Sequence, residues 1–155
     1  METFSITAIG QAEADAIRSE IESGARSARL VIVDEPGAPC RSCLRPSEAG
    51  ERLWLFSYQP YRRESFYAAP SPIFLHAHSC GAYDEIGRIP DLILHGERSV
   101  RAYDARDELV DGAVSVGSEI ETVIEKLFAD ARTDYVHIYS ATAGCFTCRV
   151  DRPSP

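Results

Sequence analysis

A chain of 155 residues, 45% hydrophobic and 26% charged, is long enough to bury a core without disulfide staples. Its net charge of −8 excludes the basic surface that nucleic-acid phosphates demand. No apolar run approaches the roughly 18 residues of a membrane span. The start Met1-Glu2-Thr3-Phe4 lacks the basic and apolar regions of a secretory signal, so the expected compartment is the cytoplasm.

The chain opens with alternation from Thr3 to Ala8, a short strand with Phe4, Ile6 and Ala8 on one face. Ala14, Ile17 and Ile21 form one stripe of a helix from about Ala12 to Glu22, stopped by Gly24. Ala28 to Val33 is an apolar, β-branched run and reads as a buried strand. Pro36-Gly37-Ala38-Pro39 then breaks the backbone, leaving Cys40 and Cys43 in a loop or turn.

Leu53 to Tyr58 and Ile73 to His78 read as strands, separated by a long aromatic loop from Gln59 to Pro72. Leu92 to Leu94 and Ser99 to Tyr103 read as two more. A polar turn from Asp104 to Gly112 leads to another at Ala113 to Val116. Ser118 to Ala131 is the clearest helix. Ser118 and Glu121 suggest a capping box, and Ile120, Val123, Ile124, Leu127 and Phe128 make its apolar stripe. Tyr135 to Tyr139 and Phe146 to Val150 form a hairpin around Ala141–Gly144, and residues 153–155 read as a frayed tail. The expected fold is one α+β domain over residues 1–152. It holds a mostly antiparallel mixed sheet of short strands with two or three packed helices.

The chemically distinctive feature is the set of five cysteines. Reducing cytosol disfavours structural disulfides, so metal binding, redox chemistry or burial come first. Cys40-Arg41-Ser42-Cys43 and Cys145-Phe146-Thr147-Cys148 are two CxxC pairs, and together they offer four thiolates to a tetrahedral zinc ion. The separation between the pairs is far longer than in a compact zinc ribbon, so the fold must bring them together. His76, His78 and Cys80 are alternative ligands, because period two places them on one face if their strand continues. His137, between Tyr135 and Tyr139, is read as a hydrogen-bonded, half-buried side chain unless it faces a cysteine. Arg41, Arg98, Arg101 and Arg149 either converge on an anion or form separate surface ion pairs. No Gly-rich phosphate loop, HExxH, GxSxG or EF-hand pattern is present.

Several segments resemble the bacterial family catalogued as domain of unknown function 1203. They are Pro39-Cys40-Arg41, Gly50-Glu51-Arg52, Pro72-Ile73-Phe74 and the run from Arg98 to Asp104. Leu127 to Asp130, Tyr135-Val136-His137 and Gly144-Cys145-Phe146 through Arg149-Val150 complete the match. The resemblance implies a compact bacterial cytosolic domain with no assigned activity. It also implies that Cys40, Arg41, His137, Cys145 and Arg149 belong to the shared pattern and could line one pocket. Positions 43 and 148 carry other residues in many members.

Three functions are consistent with these residues. The first is a zinc domain on Cys40, Cys43, Cys145 and Cys148, with His76, His78 or Cys80 substituting. The second is a thiol enzyme or redox sensor using Cys40 or Cys145, activated by Arg41, Arg149 or His137. The third is a small-ligand or protein-interaction module, including self-association, whose contact surface is the aromatic loop with Tyr58, Tyr61, Phe66 and Tyr67.

Overall fold

The computed structural model describes residues 4–153; Thr3, Ser154 and Pro155, assigned above to a strand and a tail, lie outside them. The elements are β1 (Ser5–Thr7), α1 (Gln11–Glu22), β2 (Arg29–Ile32), β3 (Arg52–Tyr58), β4 (Ser71–His76) and α2 (Asp91–Leu94). They continue with β5 (Glu97–Tyr103), β6 (Leu109–Val116), α3 (Ile120–Phe128), β7 (Tyr135–Ser140) and β8 (Phe146–Asp151). Strands form a five-stranded sheet in the order β1-β8-β7-β5-β6 and a three-stranded sheet β2-β3-β4. Every pairing between strands is antiparallel. The expected α+β class holds, with two sheets in place of one.

Alternation decides the layering. Along β7, Val136 and Ile138 face α3 while Tyr135, His137 and Tyr139 face the other way. Ile120, Ile124, Leu127 and Phe128 of α3 cover Val100, Ala102, Val136, Ile138, Cys148 and Val150. Each fully buried Ile or Val here contributes roughly 1.5–3 kcal/mol through apolar surface removed from water. A second cluster packs Ala14, Ile17 and Ile21 of α1 against Phe56, Ile73, Leu75, Cys40 and Cys43. Gly24 ends α1 at φ 82, with its N–H donating to Ile21 O, which is the left-handed stop its position predicts.

Four expectations change. The Ala28–Val33 run forms β2, but as an edge strand paired among the described residues with β3 alone, and its Leu30 and Ile32 are exposed. Leu92 to Leu94 is one helical turn, not a strand; three consecutive apolar residues carry no period, and Pro90-Asp91 opens a helix instead. The polar turn after β5 closes by Glu108, and β6 starts at Leu109 opposite Tyr103. The long helix starts with a 3-10 turn at Gly117–Glu119, and Ser118 makes no capping hydrogen bond.

That turn explains Gly117. A Cβ at this position would run into the backbone of Leu94, including its carbonyl. Gly117→Ala is expected to cost about 2–3 kcal/mol in urea denaturation, because backbone, not a mobile side chain, must yield. Unchanged stability would show that the α2 turn shifts freely. Among the described residues no helix is long and apolar enough to cross a membrane.

Candidate metal centre

Cys40 sits where the loop after β2 lies along β4. It forms an isolated parallel bridge with Phe74, and the N–H of Arg41 donates to Phe74 O at 2.9 Å. Cys40 N–H donates to Arg45 O, and Leu44 N–H donates to Cys40 O, closing a tight turn that carries Cys43. Leu44 adopts φ 55, a left-handed conformation that a branched residue occupies only when its surroundings enforce it. Strain of this kind costs on the order of 1–2 kcal/mol and holds the two CxxC thiols on one side of the turn.

β4 ends at His76, so the strand does not continue through His78. The chain bends there, leaving His78 exposed, and brings Cys80 back beside Cys40. The Sγ atoms of Cys40 and Cys80 are 3.7 Å apart, and Cys43 Sγ is 3.6 Å from His76 Nδ1. Ligand atoms of Cys40, Cys43, His76 and Cys80 all lie within 4.8 Å of one another, a cluster of three thiols and one imidazole that could hold a metal ion. Cys40, Cys43 and His76 are buried, and Cys80 is partly so.

The surroundings favour charge on sulfur. Cys40 is held well below the ordinary thiol range by hydrogen bonds from Cys43 and Cys80, helped by the His76 N–H, against the cost of burial. Cys43 and Cys80 are pushed up, chiefly by sharing hydrogen bonds with Cys40, so the trio carries one negative charge at first. Arg18, itself buried on α1, donates Nη2 to Cys80 Sγ at 3.7 Å and Nε to His76 O at 2.9 Å. On the outer side of the imidazole, His76 Nε2 lies 2.7 Å from Glu51 Oε2, a close polar contact that is not an aligned hydrogen bond. Glu51 is held below its usual range by the Glu48 N–H, which donates to it at 2.8 Å. His78 completes a looser group with Glu51 and His76, its ring 4.9 Å from that of His76.

The second CxxC pair does not reach this centre. Cys148 is fully buried beneath α3 on the opposite face of β8 from the tyrosines, and Cys145 lies in the β7–β8 turn beside Ala143 O. Of the expected ligands, the fold gathers Cys40, Cys43, His76 and Cys80 into one cluster and leaves Cys145 and Cys148 outside it. Sequence reasoning missed Glu51 and Arg18, since nothing in a Gly-Glu turn or a helix arginine marks them as neighbours of sulfur.

The other candidates separate into two places. Arg41 is buried near Cys145 and Cys148, with Nε and Nη1 lacking hydrogen-bond partners among the described residues. Burial lowers its pKa to about 10, opposed by the neighbouring sulfurs of Cys145, Cys148 and Cys40. Arg98 is spent on the carbonyls of Leu92, Ile93 and His95 at the end of α2. Arg101, His137 and Arg149 are opposite one another across β5, β7 and β8 and form a single row. Of the aromatic loop, Phe66 stands in solvent while Tyr61 is buried among the tyrosines.

Fold and site together define an α+β protein with a buried Cys3His cluster between the first CxxC loop and the end of β4. The sequence pattern of the family described as "Protein of unknown function (DUF1203)" matches residues 37–152, so the chain belongs to that family. No curated protein and no solved structure matches it.

Proposed function

We propose that this protein is a zinc-binding domain whose metal is held by Cys40, Cys43, Cys80 and His76 in a closed structural site. The observation that carries the reading is the pair of spacings inside the cluster. A tetrahedral zinc with Zn–S bonds of about 2.3 Å and Zn–N of about 2.1 Å sets S–S near about 3.8 Å and S–N near about 3.6 Å. Cys40–Cys80 at 3.7 Å and Cys43–His76 at 3.6 Å match both edges.

Two surrounding features support it. A carboxylate on the far nitrogen of a ligating histidine fixes the ring and raises its basicity, and Glu51 stands at that position. Three thiolates, a neutral imidazole and Zn²⁺ sum to one negative charge, which the buried Arg18 is placed to balance. Four protein ligands leave no open coordination position, so the role is architectural and not that of a metal catalyst.

Elemental analysis of protein purified under reducing conditions without a metal-affinity tag is expected to give about one zinc per chain. Glu51→Gln is expected to weaken zinc binding 10–100-fold in competition with a chromogenic chelator, at the scale typical of residues that orient a ligand (~10–100-fold). A metal-free preparation with full thermal stability would sink the reading.

A further inference from the structure

On the tyrosine face of the five-stranded sheet a cavity of about 130 Å³ opens between the β1–α1 connection, which Ile9 ties to the Cys40–Cys43 turn, and the β7–β8 hairpin. His137, Arg149, Phe146, Tyr58 and Glu13 border it. His137 is completely buried, and its Nε2 has no hydrogen-bond partner among the described residues. A buried donor or acceptor left unpaired costs about 1–3 kcal/mol, so its persistence calls for a partner.

A chain of hydroxyls decides which proton His137 carries. Tyr103 and Tyr61 oxygens are 2.8 Å apart, Tyr61 and Tyr139 2.7 Å, and Tyr139 is 3.1 Å from His137 Nδ1. Arg101 lies beside the Tyr103 oxygen, and a guanidinium only donates. With Tyr103 donating to Tyr61, Tyr61 to Tyr139 and Tyr139 to Nδ1, every hydroxyl hydrogen has an acceptor. The reverse order strands the hydrogen of Tyr103 against that cation. His137 is therefore protonated on Nε2, a buried donor without an acceptor.

Arg149 supplies the second donor group. Its Nε donates to Asp151 at 2.7 Å and its Cζ lies over the Tyr135 ring, 3.9 Å from the centroid, which fixes the guanidinium while leaving its Nη groups without partners among the described residues. At the mouth, Glu13 accepts from the Tyr58 hydroxyl at 2.8 Å and contributes an exposed negative charge. The imidazole N–H and the guanidinium offer two donors to the two oxygens of a carboxylate; Arg149 is already ion-paired with Asp151 and Glu13 stands at the mouth, so each further negative charge on the ligand is opposed. The volume corresponds to about four waters, the size of a short-chain carboxylate.

We propose that this cavity is a binding site for a small monocarboxylate, its two oxygens held between His137 Nε2–H and the Nη groups of Arg149. Long-range ¹H–¹⁵N NMR of the His137 ring, with sodium acetate and separately sodium phosphate titrated at constant ionic strength, tests it. Acetate is expected to move the Nε2 resonance saturably in the millimolar range, and phosphate to leave it unmoved. Arg149→Gln is expected to weaken acetate roughly tenfold or more, since hydrogen bonds to a charged partner are the stronger kind, with Arg149→Lys recovering part of the loss.

No saturable shift with acetate, an equal or larger shift with phosphate, or unaltered binding by a folded Arg149→Gln would each overturn the proposal. The wild-type titration decides on its own if that variant fails to fold. Zinc content is read separately and bears on none of these outcomes.

Discussion

Cys43→Ser is expected to lower the unfolding midpoint by roughly 6–20 °C and to abolish stoichiometric zinc. Cys43 is buried, so serine keeps the volume while removing a thiolate that the metal requires. Removing one partner from a buried charged cluster costs on the order of 3–5 kcal/mol, because what remains is desolvated without compensation. For a chain of this length each kilocalorie moves the midpoint by about 2–4 °C, which gives the stated range. Chelation of the wild type is expected to produce a shift of similar size. Cys148→Ala is the control: it opens a void beneath α3 and destabilises through lost packing, yet should retain full zinc. A Cys43→Ser protein that melts and binds zinc like the wild type would remove the metal centre from consideration.

Acid is expected to weaken the fold before the ordinary carboxylates titrate, and His137 is the cause. Burial first, then Arg149, Arg101 and Arg62, lower its pKa from 6.5 to about 3. In the unfolded chain the ring takes up its proton near pH 6.5; in the native protein it does not until about 3. Below pH 6.5 the unfolded state thus binds more protons, and stability is lost progressively as pH falls through that window. At about 1.4 kcal/mol per unit, the loss is roughly 2 kcal/mol by pH 5. The check is the difference in stability between pH 7 and pH 5, compared with the same difference for His137→Gln. The variant should show the shallower dependence. NMR of the wild-type ring provides an independent reading, with His137 expected to stay neutral down to about pH 4; titration near pH 6 would refute the account.

Legibility from the sequence followed how local each determinant is. The α3 stripe announces itself because Ile120, Ile124 and Leu127 repeat at the helical period. The β7–β8 hairpin does so because alternation on both sides meets a left-handed Gly144. β2 was visible as a strand but not as an edge, since an apolar run says nothing of how many neighbours it will find. The Cys3His cluster shows the same division. Cys40 and Cys43 share a turn that their spacing dictates, and His76 and Cys80 were recognisable as donors. The choice of those two over Cys145 and Cys148 depends on a bridge between Cys40 and Phe74, which only tertiary packing decides. Glu51 and Arg18 act entirely through space and leave no local trace.

The separation of 40 positions between Cys40 and Cys80 has a consequence for the unfolded chain. A metal joining these residues closes a loop that contains all of β3 and β4, and so ties off most of the smaller sheet. Such a closure removes conformational freedom from the denatured ensemble much as a disulfide does, by about 4 kcal/mol for a loop of this size. The tie adds to the packing of β3 and β4 against α1, which is the other support of this sheet. Without the metal, amide hydrogens of β3 and β4 should exchange with solvent through local opening, while those of β5, β7 and β8 stay protected until the whole molecule unfolds.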